Sequence, residues 1–192
     1  MKRLTEIRWH GRGGQGAKTA ALLLGEAAMS LGKNIQAFPE YGPERMGAPV
    51  ASFNRISEDP ITIHYSITEP DMVIVLDPTL VDSIDPTEGL KADGVIIVNT
   101  TDSASVIKEK LKIKGQKVYT VDASKISKET IGRDIPNTPM IGALVKVSGL
   151  LDFNMVIKDL EKKLSKKFAS KPEVIEGNLN AVKRAYQEVK GE

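Results

Sequence analysis

The residues best suited to chemistry form a glycine-rich run, residues 11–16 (GRGGQG), near the start of the chain. Glycine at four of these six positions lets the main chain turn sharply and lets a bound group approach it closely. A helical pattern follows the run, and the start of a helix offers unpaired N–H groups and the positive end of the helix dipole. A phosphate or a carboxylate is therefore the kind of group that this loop is suited to bind.

One nucleotide motif is excluded by a single inserted residue. The P-loop pattern GxxxxGK(S/T) is nearly present, but Ala17 stands between the last glycine and the pair Lys18 and Thr19. The insertion turns the lysine and the hydroxyl by about 100° around the helix. Lys18 then no longer points at the β- and γ-phosphates, as the motif requires. Hydrolysis of a nucleoside triphosphate is excluded on this ground.

A second nucleotide motif, the dinucleotide pattern GxGxxG, is complete. Its glycines are Gly11, Gly13 and Gly16. The pattern also needs an acidic residue about 20 positions further on, at the end of the second strand. Glu40 lies near that distance, although Pro39 precedes it. A stand-alone dinucleotide-binding domain therefore remains an alternative, and so does a purely structural role of the glycines in strand–helix packing.

Composition narrows the chemistry that this chain can perform by itself. It has no cysteine, which excludes disulfides, thiolate-bound iron–sulfur clusters and Cys-based zinc sites. The two histidines, His10 and His64, lack the spacing of a metal site, and no second ionisable group is placed to orient His10 for catalysis. We therefore expect His10 to be a hydrogen-bonded structural residue, and we assign no catalytic or metal-binding residue to this chain.

Charge and hydropathy indicate the cellular compartment of the chain and the classes of partner that it can bind. The 192 residues include 27 Lys+Arg and 25 Asp+Glu, and the net charge of +2 is too balanced to favour nucleic acid or an anionic membrane as a partner. The N-terminus lacks a signal-peptide pattern, and the longest apolar runs are far shorter than a membrane span needs. We expect a cytoplasmic protein that binds neither nucleic acid nor a membrane.

The segments around the loop predict an α/β fold. Residues 6–10 form a predicted strand before the loop, and residues 34–38 form a second one. A largely apolar helix, residues 17–31, lies between them and stops at Gly32. Three continuous apolar runs then fit strands buried on both faces of a parallel sheet. These runs are residues 72–76, 95–98 and 118–121, and they end at Asp77, Asn99 and Asp122, where open α/β sheets bind ligands.

Two further features belong to the middle of the chain. Residues 50–56 and 61–67 flank the turn cluster 57–60, and this arrangement predicts a β-hairpin. Residues 39–49 form an 11-residue connection with two glycines and three prolines. Because most connections have roughly 4–6 residues, we expect this long one to have a ligand or interface role.

The last third of the chain is predicted to be helical. Thr138 is expected to cap a helix that begins at Pro139. Apolar residues then recur at helical spacing over residues 153–164, and residues 170–173 (SKPE) have the form of a capping box before a final helix. We expect residues 1–192 to form one three-layer α/β domain with a mostly parallel sheet, an added β-hairpin and C-terminal helices.

Three stretches of the chain are distinctive when they are taken together. They are residues 7–16 (IRWHGRGGQG), residues 38–49 (FPEYGPERMGAP) and residues 135–144 (IPNTPMIGAL). In sequence, order and spacing they resemble the gamma subunit of the pyruvate/2-oxoacid:ferredoxin oxidoreductases, and the likeness extends over nearly the whole chain. The glycine loop alone is modest evidence for this resemblance, whereas the three stretches together are specific.

The resemblance implies a reaction that this chain does not perform alone. The family decarboxylates a 2-oxoacid oxidatively, so that pyruvate, coenzyme A and oxidised ferredoxin give acetyl-CoA, carbon dioxide and reduced ferredoxin. Thiamine diphosphate with magnesium, and the iron–sulfur clusters, belong to the alpha, beta and delta subunits. The resemblance therefore implies a subunit without a cofactor or a catalytic residue of its own, which contributes subunit interface and part of the coenzyme A site.

The resemblance also implies which residues contact coenzyme A or a partner subunit. They are Gly11, Gly13, Gly14, Gln15, Gly16, Tyr41, Glu44, Arg45, Asn137 and Thr138. Arg45 can clamp a carboxylate or a phosphate through paired hydrogen bonds. A plainer interpretation is open as well, in which the 137–138 pair is only a helix start and the 44–45 pair only solvated charges.

Overall fold

A seven-stranded sheet forms the centre of the fold, in a computed structural model that describes residues 4–40 and 46–191. In chain order the strands are β1 (Leu4–Arg12), β2 (Asn34–Pro39), β3 (Pro49–Ser57), β4 (Met72–Val75), β5 (Val95–Asn99), β6 (Lys117–Val121) and β7 (Lys190–Gly191). Their spatial order is β2-β3-β1-β4-β5-β6-β7. The β1–β4, β4–β5 and β5–β6 pairs are parallel, and β3 is antiparallel to both β1 and β2. Only β3 and β7 therefore run against the other strands, which confirms the mostly parallel sheet.

Helices cover both faces of this sheet. They are α1 (Ala17–Ser30), α2 (Leu80–Ser83), α3 (Ala104–Lys110), α4 (Ala123–Ile131), α5 (Asn137–Ser148), α6 (Phe153–Lys167) and α7 (Pro172–Glu188). Successive side chains of a strand point to opposite faces. Accordingly Ile74 belongs to the core that contains α1, α5 and α7, whereas Val73 and Val75 pack with Leu80 of α2 and Ile107 of α3. These two cores confirm the three-layer α/β architecture.

The central strands and the long helices follow the sequence prediction. All four residues of β4 are buried, and so are four of the five residues of β5, as their continuous apolar runs predicted. α1 begins directly after the glycine run, and Gly32 just beyond its end has a φ of 79°, which suits a glycine stop. Within the described part of the chain, no helix combines the length and apolar character needed to cross a lipid bilayer.

The predicted hairpin has different partners in the structure. β3 contains residues 50–56, but it pairs with β2 on one side and with β1 on the other. Residues 61–67 form no strand. The hairpin is therefore made by β2 and β3, and the long connection between them joins these two strands.

A buried arginine explains why residues 61–67 form no strand. Arg55 is 1% exposed and its guanidinium makes an ion pair with Glu6 at 2.8 Å. The same guanidinium donates to the main-chain carbonyl of Tyr65 at 2.6 Å, and the Gln36 amide donates to the carbonyl of Ile63 at 2.9 Å. These carbonyls are the groups that a strand would present to its ladder, so side chains of β2 and β3 replace strand pairing here.

Two helix starts also differ from the prediction. α5 begins at Asn137, earlier than expected, so Thr138 is not its cap; the Thr138 N–H donates to the Asn137 Oδ1 at 2.8 Å inside the first turn. α7 begins at Pro172 with Lys171 at the cap position, and no side chain caps it. The capping box predicted for residues 170–173 is therefore wrong. Proline fits the first position because the missing N–H has no intrahelical partner there.

Candidate functional site

A cleft of ≈ 460 Å³ lies where β1 ends and α1 begins. It is at the carboxyl edge of the parallel strands, the edge at which open α/β sheets bind ligands. The loop contributes Gly13 and Gly14 to its wall, and the first turn of α1 contributes Lys18. Glu40, directly after β2, and Ser52 of β3 also line the cleft. The cleft therefore combines main-chain, cationic and anionic groups in one place.

The loop can take this path only with glycine at two positions. Gly14 has a φ of 99° and Gly16 a φ of 84°, values that L-residues with a Cβ rarely adopt. A Cβ on Gly16 would also lie 2.5 Å from the Asn137 amide nitrogen, whereas one on Gly14 would meet nothing within 4 Å. The Asn137 amide donates to the Gly16 carbonyl at 3.4 Å. The glycine run and the start of α5 are therefore in direct contact.

The residues just before β3, 47–48, are fixed to the same loop by main-chain hydrogen bonds. The Gly13 N–H donates to the Ala48 carbonyl at 2.9 Å, and the Gly47 N–H donates back to the Gly13 carbonyl at 3.1 Å. The Arg12 guanidinium adds a bond of 3.2 Å to the Gly47 carbonyl. Together with the Gly16 contact to α5, these bonds bring parts of all three distinctive stretches of the sequence to one site.

The site residues that the resemblance implied fall into four groups. Those that line the cleft are Gly13, Gly14 and Gly16. Gly11 and Gln15 lie beside the cleft but do not line it. Asn137 and Thr138 are buried at the start of α5. Tyr41, Glu44 and Arg45 lie outside the described residues.

Gln15 fixes the loop to the end of β4. Its amide nitrogen donates to the Asp77 carboxylate at 2.6 Å, and its amide oxygen accepts the Arg12 N–H at 2.8 Å. The Arg12 guanidinium reaches the same carboxylate at 3.3 Å and donates to the Thr79 hydroxyl at 2.8 Å. The sequence placed Asp77 at a ligand-binding edge, but nothing in it linked this carboxylate to Gln15. The network leaves Arg12 and Gln15 engaged with the protein itself.

The start of α1 is available to an anion. Gly16 occupies its cap position without a side chain to cap the helix, and its first turn contains no acidic residue. Lys18 is exposed and lines the cleft beside this helix end. The helix dipole and the lysine charge therefore act on the same volume. Glu40 also lines the cleft, and its carboxylate can accept a hydrogen bond from a hydroxyl or amino group.

The sheet order disfavours the dinucleotide-binding interpretation of the loop. In that fold the acidic residue ends the strand that lies next to β1. Here β3 lies between β1 and β2, so Glu40 follows a strand two positions away in the sheet, at a distance of roughly 10 Å from β1. The chain therefore has the pattern GxGxxG but lacks the strand arrangement that accompanies dinucleotide binding.

His10, near the end of β1, is half-buried. Burial, followed by the nearby Arg8 charge, lowers its pKa to about 4. Its Nε2 has no hydrogen-bond partner among residues 4–40 and 46–191, so the expected hydrogen-bonded histidine is wrong for this atom. Such a low pKa makes the ring a poor general base at neutral pH. Within the same described ranges, no three His, Asp or Glu side chains are grouped so that they could hold a metal.

Comparison with known proteins decides between the interpretations that the cleft leaves open. A family model described as pyruvate ferredoxin/flavodoxin oxidoreductase matches residues 6–188. The chain belongs to this family. The matched residues include the whole of the cleft and all three distinctive stretches of the sequence.

Individual relatives narrow the assignment to one subunit type. Pyruvate synthase subunit PorC of Thermotoga maritima is 48% identical over 189 residues, which cover 98% of this chain and 96% of that protein. The pyruvate/ketoisovalerate oxidoreductases common subunit gamma of Pyrococcus abyssi is 48% identical over 184 residues, 96% of each protein. The crystal structure of T. maritima pyruvate oxidoreductase subunit PORC (EC 1.2.7.1) has a TM-score of 0.86 at 44% identity and covers 100% of this chain and 99% of its own. The chain is a gamma subunit of a pyruvate/2-oxoacid:ferredoxin oxidoreductase, which confirms the resemblance.

The contact between Gly16 and Asn137 gives the first prediction. Gly16→Ala and Gly14→Ala both place a side chain at positive φ, which costs roughly 1 kcal/mol or more each. Only Gly16→Ala adds an overlap with the Asn137 amide, so it should lose about 1–3 kcal/mol more in the free energy of unfolding. Urea unfolding of the purified chain measures both losses. Asn137→Ala should recover part of the difference in the Gly16→Ala background, and equal losses for the two single variants would contradict this packing.

The Asp77 network gives a prediction that depends on pH. Burial alone would raise the pKa of Asp77, but hydrogen bonds from Thr79 and Gln15, with the Arg12 charge, lower it below its ordinary value of 3.8. A carboxylate with a lowered folded-state pKa stabilises the fold above its unfolded pKa, and this stability is lost as the pH falls through the folded-state pKa. At pH 7 the wild type should exceed Asp77→Ala by about 1–3 kcal/mol in the free energy of unfolding.

Urea unfolding at a series of pH values measures this difference. The difference in unfolding free energy between wild type and Asp77→Ala should become smaller as the pH is lowered below 4. Glu161→Ala is the matched control, because Glu161 is an exposed carboxylate on α6. It should change the unfolding free energy little at any pH. A loss in Asp77→Ala that stays constant across the acid range would show that the ionised carboxylate is not what stabilises the loop.

Proposed function

We propose that this subunit forms part of the coenzyme A site of a pyruvate:ferredoxin oxidoreductase and part of the interface to its partner subunits, and that it supplies no catalytic residue. The single observation that carries the proposal is the cleft at the uncapped start of α1, with the exposed Lys18 beside it. In this proposal residues 1–192 act as one gamma domain of a cytoplasmic complex.

The groups around the cleft match the chemistry of coenzyme A. Its phosphates are suited to the N–H groups and dipole at the start of α1 and to Lys18. Its amide, hydroxyl and amino groups are suited to Glu40 and Ser52 in the same lining, and Val50 adds apolar surface. The cleft is open and small for so long a molecule. The rest of the site would therefore be supplied by a partner subunit.

The connection after β2 is the proposed partner contact. Both of its described ends, Glu40 and Met46, line the cleft, and Met46 is 95% exposed. Tyr41, Glu44 and Arg45 lie between these ends in the sequence. A ligand held here would thus lie next to the proposed interface, so binding of coenzyme A and subunit assembly would involve the same segment.

The remaining parts of the reaction are assigned to other chains. Thiamine diphosphate with magnesium and the iron–sulfur clusters would be held by the alpha, beta and delta subunits, with ferredoxin as the electron acceptor. A chain without cysteine offers no thiolate to a cluster. The Pyrococcus abyssi relative is named as common to pyruvate and ketoisovalerate oxidoreductases, which supports a 2-oxoacid pocket outside the gamma subunit.

Lys18→Ala tests the coenzyme A contact. In the reconstituted complex the KM for coenzyme A should rise about tenfold, which corresponds to about 1.4 kcal/mol for one charge-assisted contact. The KM for pyruvate should not change. Steady-state kinetics with each substrate varied in turn measures both values. Lys183→Ala, an exposed lysine on α7 away from the cleft lining, should leave both values at the wild-type level. An unchanged KM for coenzyme A in Lys18→Ala would remove this contact from the site.

The absence of catalytic residues is tested with the isolated chain. The purified subunit should not reduce an electron acceptor from pyruvate and coenzyme A, because the carbanion and electron-transfer chemistry would lie in the other chains. Addition of the alpha, beta and delta subunits should restore turnover, which an acceptor-dye assay follows. Sustained turnover by the isolated chain would contradict the proposed division of roles.

A further inference from the structure

A second cavity, of ≈ 480 Å³, lies between α1, α5, α6 and α7. Its volume falls within the range of roughly 300–1,000 Å³ that is typical of small-molecule sites. Its apolar wall is made of half-buried side chains, which are Leu23, Ile131, Ile135, Leu164, Phe168 and Val174. The exposed parts of these side chains face the open volume of the cavity. Covering them with an apolar ligand group is therefore favourable.

The rim of this cavity is cationic. The charged residues that line it are Arg133, Lys163, Lys167 and Lys171, and none of the residues 4–40 and 46–191 that line it is acidic. Lys163 is neutralised by ion pairs with Asp159 at 2.5 Å and Glu26 at 3.3 Å. In the described part of the chain, the other three cations have no carboxylate oxygen within 4.0 Å. The rim therefore carries positive charge that no ion pair among the described residues neutralises.

Asn137, Thr138 and Asn178, the uncharged polar residues of the lining besides Thr19, already make hydrogen bonds within the chain. The Asn178 amide donates to the Val174 carbonyl at 2.8 Å. The Asn137 amide donates to the Gly16 carbonyl, and its oxygen accepts the Thr138 N–H. A nucleotide, a sugar or an extended peptide needs many hydrogen-bond partners when it is buried. This lining disfavours all three, and it favours a ligand whose only polar group is a charged head.

We propose that this cavity binds an amphipathic anion, in which an apolar chain or ring carries one carboxylate or phosphate. The apolar part lies between the helices against Leu23 and Leu164, and the anionic head lies at the rim beside Lys167 and Lys171. The proposal does not rest on the coenzyme A site. The linings of the two cavities have only Thr19 in common, so each site can be tested without the other.

Titration calorimetry of the purified chain with decanoate tests the proposal. Decanoate should bind with a submillimolar dissociation constant, and decanol, which lacks the charge, should bind about tenfold more weakly. Decyl phosphate distinguishes the two head groups, because the tighter of the two anions identifies the one that the rim accepts. Absence of decanoate binding, or equal affinity for decanoate and decanol, would overturn the proposal.

Two pairs of lysine variants locate the site. Lys167→Ala/Lys171→Ala should weaken decanoate binding about tenfold and leave decanol unchanged. Lys162→Ala/Lys166→Ala removes two exposed lysines of α6 that do not line the cavity, and it should change neither affinity. Equal weakening by the two pairs would mean non-specific attraction and would overturn the site. Loss of decanoate binding upon assembly with the partner subunits would also overturn it, because a protein segment would then be the occupant.

Discussion

The close approach of the glycine run to two other segments is the constraint on which the site depends. Gly16 leaves no room for a Cβ beside Asn137, and Gly13 exchanges two main-chain hydrogen bonds with residues 47–48. The same constraint also determines how α1 begins. A residue at Gly16 without a side chain can be packed tightly against α5, and it also leaves the start of α1 without a cap. The close packing against α5 and the uncapped start of α1 therefore both follow from the absence of a side chain at Gly16, and the two features do not compete.

The position of β3 in the sheet determines what surrounds this loop. In a dinucleotide-binding fold the strand after the first helix lies next to β1, whereas here β3 is inserted between β1 and β2. Because β3 is antiparallel, its first residues lie at the carboxyl edge of β1, and Gly47 and Ala48 just before it can pair with Gly13. The end of β2 lies at the same edge, so Glu40 also reaches the cleft. The antiparallel insertion of β3 therefore gives the GxGxxG loop different neighbours from those that it has in a dinucleotide-binding fold.

The sequence predicted the elements whose pattern is local, and it failed where a distant side chain decides the outcome. β4 and β5 were predictable because burial on both faces makes their residues continuously apolar. The predicted hairpin partner of β3 was wrong, because the Arg55 guanidinium donates a hydrogen bond to a main-chain carbonyl of the segment that was expected to pair with β3. The alternation of apolar residues along a strand carries no information about the hydrogen-bond partner of a guanidinium.

Short helices and long-range contacts were missed for a related reason. α3 and α4 are capped by Ser103 and Asp122, whose side chains accept N–H groups of the first turn, so a local signal was present. Their seven and nine residues are too few to establish an apolar period against the neighbouring strands. The contact between Gln15 and Asp77 spans 62 positions of the chain, and no local pattern encodes it.

The composition of α1 relates the two cavities to each other. Its buried side is largely alanine, including Ala20, Ala21 and Ala28, and small side chains let a helix lie close to a sheet. The Asn54 amide of β3 donates to the Ala21 carbonyl at 2.8 Å, which fixes the helix in this position. The other side of α1 carries Thr19, which lines both cavities. A larger residue at Ala20, Ala21 or Ala28 would push the helix outward from the sheet. It would therefore change the shape of both cavities together, although neither cavity contains the substituted side chain.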